Sequence, residues 1–468
     1  MIALYLFNLN GVGVLGPDEP RYAAIGRAMA QTDDFVTPRL WGSPWFEKPP
    51  LLYWMTALGA FAGLGPDLCG RLPVAILSLI FLGFFFVSVR NEFGWDSAAV
   101  ATFCLATSAG WLAFSNLCLT DLPLAVFFAA SVLLALPLLR AEARTQKLRM
   151  RFFCIGASLG AATLAKGLVP IALCVPMLWF LRCFWRDWWT AAAGCLLVAG
   201  PWYIAVYRAN GYAFFQEFFL KHHLERLYSN ALQHIQPPYY YLPVLLVAVF
   251  PWTPLLLLLR KESWDRRLQF LAAIVLFGLL FFSISRNKLP GYLLPLLPAL
   301  FLMLGAVFQK HRVIALPRGY LIACALLVTS LPFAATLLPA SLSAGKFTLA
   351  ALSAPSRTEL FYILLPLAVV VLARRQWKAP LLVLTVVTAG IYVKQIAFPA
   401  LDQQVSARSM WRRLKHERAL ICDGGTNRDW LFGLTYYRGE AYPPCDSGNF
   451  DYALRSHFKN YATLEKLK

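Results

Sequence analysis

Asp18, in the stretch Gly-Pro-Asp-Glu-Pro-Arg-Tyr at residues 16–22, is a carboxylate directly after an apolar run. A carboxylate so placed in a structured loop can serve as a general base. The alternative is that it caps the helix that Pro20 begins. That helix sets Asp18, Arg21 and Tyr22 on one face, at i, i+3 and i+4. Further along the same loop, Phe-Glu-Lys-Pro-Pro at 46–50 puts Glu47 and Lys48 at the start of a second helix. A lysine beside helix N–H groups makes an anion site. An interfacial lysine among lipid headgroups is the alternative.

Other ionisable groups recur at the ends of apolar runs. Asp121, in Leu-Thr-Asp at 119–121, sits at the mouth of one, where charge is costly and mostly functional, unless it only caps the next helix. Lys166 closes a short turn in Ala-Lys-Gly, able to snorkel or to bind an anion. The loop 216–241 gathers Lys221, His222, His223, Arg226 and His234 among aromatics, and Arg286 and Lys288 share a tight turn. Adjacent histidines raise the question of a metal, but neither HExxH nor an i, i+4 histidine pair is present. Phosphate or sugar binding suits that loop better, so a divalent metal is possible but not indicated by ligand spacing.

These residues need scaffolding that water would not tolerate. Of 468 residues, 59% are hydrophobic and 14% charged, against about 45–50% and roughly 25% in soluble domains. Apolar runs near the 20-residue length of a membrane span recur over residues 1–15, 69–89, 97–115, 121–139, 152–165, 167–181, 189–207, 239–259, 268–285, 289–308, 313–339, 358–373 and 379–397. The expectation is an all-α polytopic membrane protein with about 13 spans. Met1–Leu15 reads as a short uncleaved first span, because the first cation is Arg21 and no basic n-region precedes it.

The net charge of +19 reports topology. Arg90, Arg140 to Arg151, Arg182 and Arg186, Arg260 to Arg267, Lys310 and Arg312, and Arg374 to Lys378 fall in alternate loops. Every second loop being basic is the positive-inside pattern, which makes those loops cytoplasmic and excludes nucleic acid as the natural partner. The loop 16–68, the turn at Lys166, loop 208–238, the turn 286–288 and everything past Ala397 then face outward. Loop 16–68 reads as two amphipathic helices at the interface, the second carrying Tyr53 and Trp54. Residues 1–397 form the membrane domain and 398–468 a small α/β tail, with a helix at 408–418 and a strand at 419–423. Cys422 and Cys445 are the tail's cysteines, in a compartment that permits a disulfide. No internal or inverted repeat is visible, which weighs against a secondary transporter.

Asp-Glu-Pro-Arg-Tyr, Phe-Glu-Lys-Pro-Pro-Leu-Leu-Tyr-Trp, Thr-Asp, Ala-Lys-Gly, His-x-x-x-Arg with Gln-His-x-x-Pro, and Lys-Leu-Pro-x-Tyr-Leu-Leu-Pro occur in order. Together they resemble the bacterial branch of GT-C glycosyltransferases related to protein O-mannosyltransferases, most closely the lipid A aminoarabinose transferases. The resemblance covers nearly all of residues 1–400, and the tail is smaller than it suggests. It implies a GT-C-type bundle in the bacterial inner membrane, with site and C-terminus outside. It also implies a polyprenyl-phosphate sugar donor and a lipid A, glycan-lipid or protein acceptor. By the same resemblance Asp18 lies nearest the reacting centre, Glu47 and Lys48 at the donor phosphate, and Asp121 behind them or beside the acceptor. Lys166, His223, Arg226 and Lys288 line the phosphate and sugar pocket, with Arg21 and Tyr22 on the donor side. A transporter or flippase of an anionic lipid is the rival class; it explains the apolar runs but not the acidic first loop.

Overall fold

The computed structural model describes residues 1–140, 147–218, 236–261, 264–310, 318–344, 348–349, 352, 355–374, 377–416, 419–456 and 462–467. Among them, seven helices are long and apolar enough to cross a membrane, or up to nine if two bent helix pairs each make one span. The about 13 spans expected from apolar runs are therefore not all reproduced as separate membrane-length helices. Three departures explain most of the difference. The run 1–15 is helical only over α1 (Ile2–Leu6). The runs 69–89 and 97–115 share α4 (Arg71–Thr107), which breaks at Gly94, where φ is 84°. The run 167–181 becomes two short helices, α8 (Val169–Leu173) and α9 (Val175–Phe180), each with a proline in its first turn. A proline removes a backbone donor and fits best there, so each one restarts the chain.

The first loop holds two helices, α2 (Asp18–Thr32) and α3 (Leu51–Phe61), as expected. Between them lies a small antiparallel hairpin that the sequence reading did not include, β1 (Arg39–Leu40) with β2 (Ser43–Pro44). Beyond α4, α5 (Ala109–Phe114) leads to α6 (Asp121–Ala135), α7 (Leu148–Lys166) and α10 (Trp188–Phe215).

Lipid tails are as apolar as leucine, so helices in a bilayer associate through close packing and hydrogen bonds rather than by escaping solvent. The contact between α7 and α10 shows the consequence. A Cβ at Gly156 would lie 1.8 Å from the carbonyl oxygen of Ala191, and one at Gly194 2.3 Å from that of Phe153. The two backbones touch, and alanine at either position would force them apart. Buried hydrogen bonds add to this: the Trp111 indole donates to Ser78 Oγ at 2.9 Å inside the bundle. Leu196, Leu197, Leu276, Val371 and Leu372 lie mostly exposed on the outer surface of the bundle, the apolar exterior that a chain bathed in lipid requires.

The long helix Lys378–Gln404 continues past Ala397 before the polar tail begins. In the tail, helices Ala407–Leu414 and Arg428–Arg438 accompany a three-stranded sheet. Its strand β3 (Ile421–Asp423) pairs parallel to β4 (Tyr452–Ser456), which pairs antiparallel to β5 (Ala462–Lys466). A disulfide joins Cys422 to Cys445, with Cα atoms 5.0 Å apart.

The tail is lashed to the first loop. Arg408 reaches Asp67 at 2.6 Å and Asp402 at 2.8 Å. Tyr437 donates to Asp67 at 2.6 Å and accepts from the amide of Val14 at 2.9 Å. Tyr436 donates to the carbonyl of Pro66 at 2.6 Å.

Candidate active site

Helix α2 begins at Asp18, and its N-terminus receives no side-chain cap. The capping alternative for Asp18 therefore does not hold. The Asp18 carboxylate, 40% exposed, pairs instead with Arg21 one turn on. Arg21 also holds Glu47 at 2.9 Å, and Glu47 holds Lys48 at 3.2 Å. Asp18, Arg21, Glu47 and Lys48 thus form a row of alternating charge that runs from α2 to the approach of α3. Arg21 is fixed by aromatic faces: its guanidinium lies 5.9 Å from the Tyr22 ring, 5.6 Å from Trp45 and 5.5 Å from Phe432 of the tail. Three rings and two carboxylates leave the guanidinium little freedom, so the Asp18 carboxylate is aimed by a rigid partner.

Tyr22 and Tyr53 stand behind the row, their ring centroids 6.1 Å apart. Burial, and next the Glu47 carboxylate, push both phenols well above their usual range, so both keep their protons. The hydroxyl of Tyr53 and the indole N–H groups of Trp41 and Trp45 are buried without a hydrogen-bond partner among the described residues. Buried donors of this kind are costly until an acceptor arrives, so they suit an oxygen-rich ligand.

A second charged pair stands where α7 ends and α6 begins. Lys166, at the end of α7, reaches Asp121, at the start of α6, at 2.5 Å. The ammonium also lies 4.6 Å from the ring of Tyr292, in the Lys-Leu-Pro-Gly-Tyr turn. Glycine at 291 lets this turn come close, because a Cβ would fall 2.5 Å from Asp121 Oδ1 and push that carboxylate aside. Lys288 is buried, donating to the carbonyl of Gln236 at 3.1 Å and to that of Ser285. The two clusters are joined through the protein: Thr56 of α3 meets Cys118 at 3.5 Å, and Phe46 packs in one apolar cluster with Leu164. His223 and Arg226 lie outside the described residues, as do Lys221, His222 and His234. Among the described residues no group of three histidine, cysteine, aspartate or glutamate side chains is arranged for a metal.

Three residues that hold the site, Glu19, Arg71 and Lys394, are not among the site residues expected from the sequence. Glu19 is fully buried and bound in fork geometry by Arg71 at the start of α4, with contacts of 2.7 and 2.6 Å. Its carboxylate also accepts from the amides of Leu15 at 2.8 Å and Cys118 at 3.0 Å. Arg71 donates further to the carbonyls of Leu9, Val12 and Gly13. Deeper in the bundle, Lys394 collects the carbonyls of Leu4 at 2.7 Å and Phe7 at 3.2 Å and the Asn116 side-chain oxygen at 2.7 Å. It satisfies carbonyls that the end of α1 leaves without intrahelical partners.

A bundle of apolar helices with an acidic, helical first loop and a small covering tail defines a multi-pass integral membrane protein. Comparison with known proteins agrees. Residues 1–219 match the family model of dolichyl-phosphate-mannose-protein mannosyltransferase. The undecaprenyl phosphate-alpha-4-amino-4-deoxy-L-arabinose arabinosyl transferase of Pseudomonas aeruginosa (strain UCBPP-PA14) is 35% identical over 324 residues, 66% of this chain and 58% of that protein. The Yersinia enterocolitica protein of the same description is 29% identical over 321 residues, 65% of this chain and 57% of its own length. The chain thus spans a little under three-fifths of the length of these curated relatives. The crystal structure of ArnT from Cupriavidus metallidurans bound to undecaprenyl phosphate superposes with a TM-score of 0.74 at 23% identity, covering 97% of this chain and 91% of that one. The resemblance carried by the motifs is therefore present in the sequence, and the fold is that of the Cupriavidus metallidurans ArnT structure.

Proposed function

We propose that this protein transfers a sugar from a polyprenyl-phosphate donor to an acceptor outside the cytoplasmic membrane of a bacterium. The relatives' aminoarabinosyl chemistry favours an aminoarabinose-type donor, and the motif resemblance favours a lipid A-type acceptor. The observation that carries the reading is the rigid row Asp18–Arg21–Glu47–Lys48, linked through the packing of Thr56, Cys118, Phe46 and Leu164 to the Asp121–Lys166 pair. Transfer breaks the bond between the anomeric carbon and the phosphate oxygen, and the departing polyprenyl phosphate gains negative charge. Lys48, Lys166 and Lys288 stabilise that charge more in the transition state than in the bound donor, which is what accelerates a reaction. His223 and Arg226 join them on the phosphate side. Glu47 and Arg21 hold the geometry, and Tyr22 supports it from below. Asp121 restrains Lys166 until the phosphate competes for it.

Asp18 is the exposed carboxylate of the row and faces the acceptor. With a hydroxyl acceptor it takes the proton as the new bond forms. With a phosphate acceptor no proton has to leave, and Asp18 orients the acceptor or stabilises positive charge on the sugar ring. An apolar cavity of about 650 Å³ between α7 and α10, lined by Thr163, Leu168, Cys195, Tyr203 and Ile204 and ending at Arg208, lies within a turn of Lys166 and suits a lipid chain.

Purified protein given undecaprenyl-phosphate-linked aminoarabinose and lipid A should produce the corresponding mass shift on the acceptor. Stoichiometric movement of intact donor between leaflets, with no transfer to any acceptor, would establish the flippase reading instead. In whole cells, a cysteine introduced at Asn449, exposed in the tail, should be labelled from outside and one at Thr145 should not. The reverse pattern would invert the proposed sidedness.

Lys48→Ala removes a charge-assisted contact worth roughly 1.5–3 kcal/mol, or about 10- to 150-fold in turnover if confined to the transition state. Lys48→Arg keeps the charge with different geometry and should retain part of the activity. Unchanged turnover and donor affinity in Lys48→Ala would reduce the residue to an interfacial anchor.

A further inference from the structure

The helices that carry the outer site also build a cavity at their opposite ends. Helix α4 leaves Arg71 and reaches Glu92 21 residues later, about 31 Å away at 1.5 Å per residue, which is the thickness of the hydrocarbon core. Helix α6 and its continuation run from Asp121 to Arg140, and α7 from Lys166 back to Lys147. Between these far ends lies a cavity of about 480 Å³. Its walls divide by chemistry: Phe84, Leu133, Leu134 and Pro137 are apolar, while Arg140, Lys147 and Arg151 bring three cations to the rim.

Among the described residues that line the cavity, the one carboxylate does not oppose an anion. Glu92, only 4% exposed, is held by Arg140 at 2.8 Å and by Arg267 at 3.5 Å. Its charge is thereby spent within the protein. Among the described residues no carboxylate pairs with Lys147 or Arg151, so the cavity keeps a positive excess beside an apolar wall.

We propose that this cavity binds one anionic phospholipid of the leaflet opposite the active site, its headgroup phosphate between Lys147 and Arg151 and an acyl chain along Phe84 and Leu133. A cationic rim over an apolar wall at the end of membrane helices is complementary to a phosphodiester carrying a fatty chain. A soluble anion would leave the apolar wall unused, and a zwitterionic lipid would bring a second cation to a cationic rim. The site does not depend on which reaction the outer face performs, and its position places it in the inner leaflet under the sidedness proposed above.

The test is lipid retention by the detergent-purified full chain in native mass spectrometry. Phosphatidylglycerol should remain bound under conditions that strip phosphatidylcholine with the same acyl chains. The double variant Lys147→Gln/Arg151→Gln should weaken phosphatidylglycerol retention about 30-fold, each cation near the membrane contributing about a factor of five. Arg149→Gln removes an exposed cation from the same helix but outside the cavity and should leave retention unchanged. Equal retention of the two lipids by the unaltered protein overturns the proposal without recourse to any variant. So does an equal loss in Arg149→Gln, which would show only diffuse attraction, or displacement of the lipid by millimolar inorganic phosphate, which would show a soluble-anion site.

Discussion

Asp18→Asn lowers turnover by about 10²–10⁴ when the acceptor is a hydroxyl, because a positioned base contributes that much to a proton transfer. The melting temperature in detergent stays near that of the unaltered protein. The structure separates these two effects. Asp18 is 40% exposed and makes no cap, so little folding energy rests on it. Asparagine keeps its shape, and Arg21 remains anchored by Glu47 and by three aromatic rings. With a phosphate acceptor the loss is smaller and nearly independent of pH. Asp18→Asn with full turnover on its acceptor removes Asp18 from the chemistry altogether.

Glu19→Gln acts in the opposite sense, on stability first. It leaves the Arg71 guanidinium buried without its counter-charge, and breaking one side of a buried pair costs about 3–5 kcal/mol. The remaining carbonyl contacts from Leu9, Val12 and Gly13 keep the effect within that range. The expected readout is a fall in the thermal midpoint and in folded yield, with turnover per folded molecule much less affected. A variant that melts with the unaltered protein would show that the carbonyls alone satisfy Arg71.

The contrast between neighbouring residues 18 and 19 shows what the sequence could and could not reveal. The Asp18–Arg21 pair is legible because helix periodicity puts i and i+3 together. The meeting of Arg21 with Glu47 is not local. It depends on the turn built by β1 and β2, a hairpin too short to leave a period-two pattern. Arg71 begins a long apolar run and so looks like any arginine that flanks a span, although it points inward to Glu19 rather than outward to headgroups. Lys394 carried a signal, being a cation well inside an apolar run. Its acceptors are the carbonyls of Leu4 and Phe7 and the distant Asn116 side chain, which no local pattern announces. The Asp121–Lys166 pair spans 45 positions, and only the ordered motifs put its two halves in one list. The expected span number is not reproduced helix for helix, for a related reason: Gly94 and the prolines of α8 and α9 redirect the chain without interrupting its hydropathy.

The bonds from Arg408, Tyr436 and Tyr437 to residues 10–67 have a thermodynamic consequence. Segments so joined open together rather than one at a time. Amide hydrogen exchange in Arg428–Arg438 and in Asp18–Thr32 should then report one shared opening free energy, and reduction of the Cys422–Cys445 bond should accelerate exchange in both helices. Faster exchange confined to the tail would show that the two segments fluctuate independently.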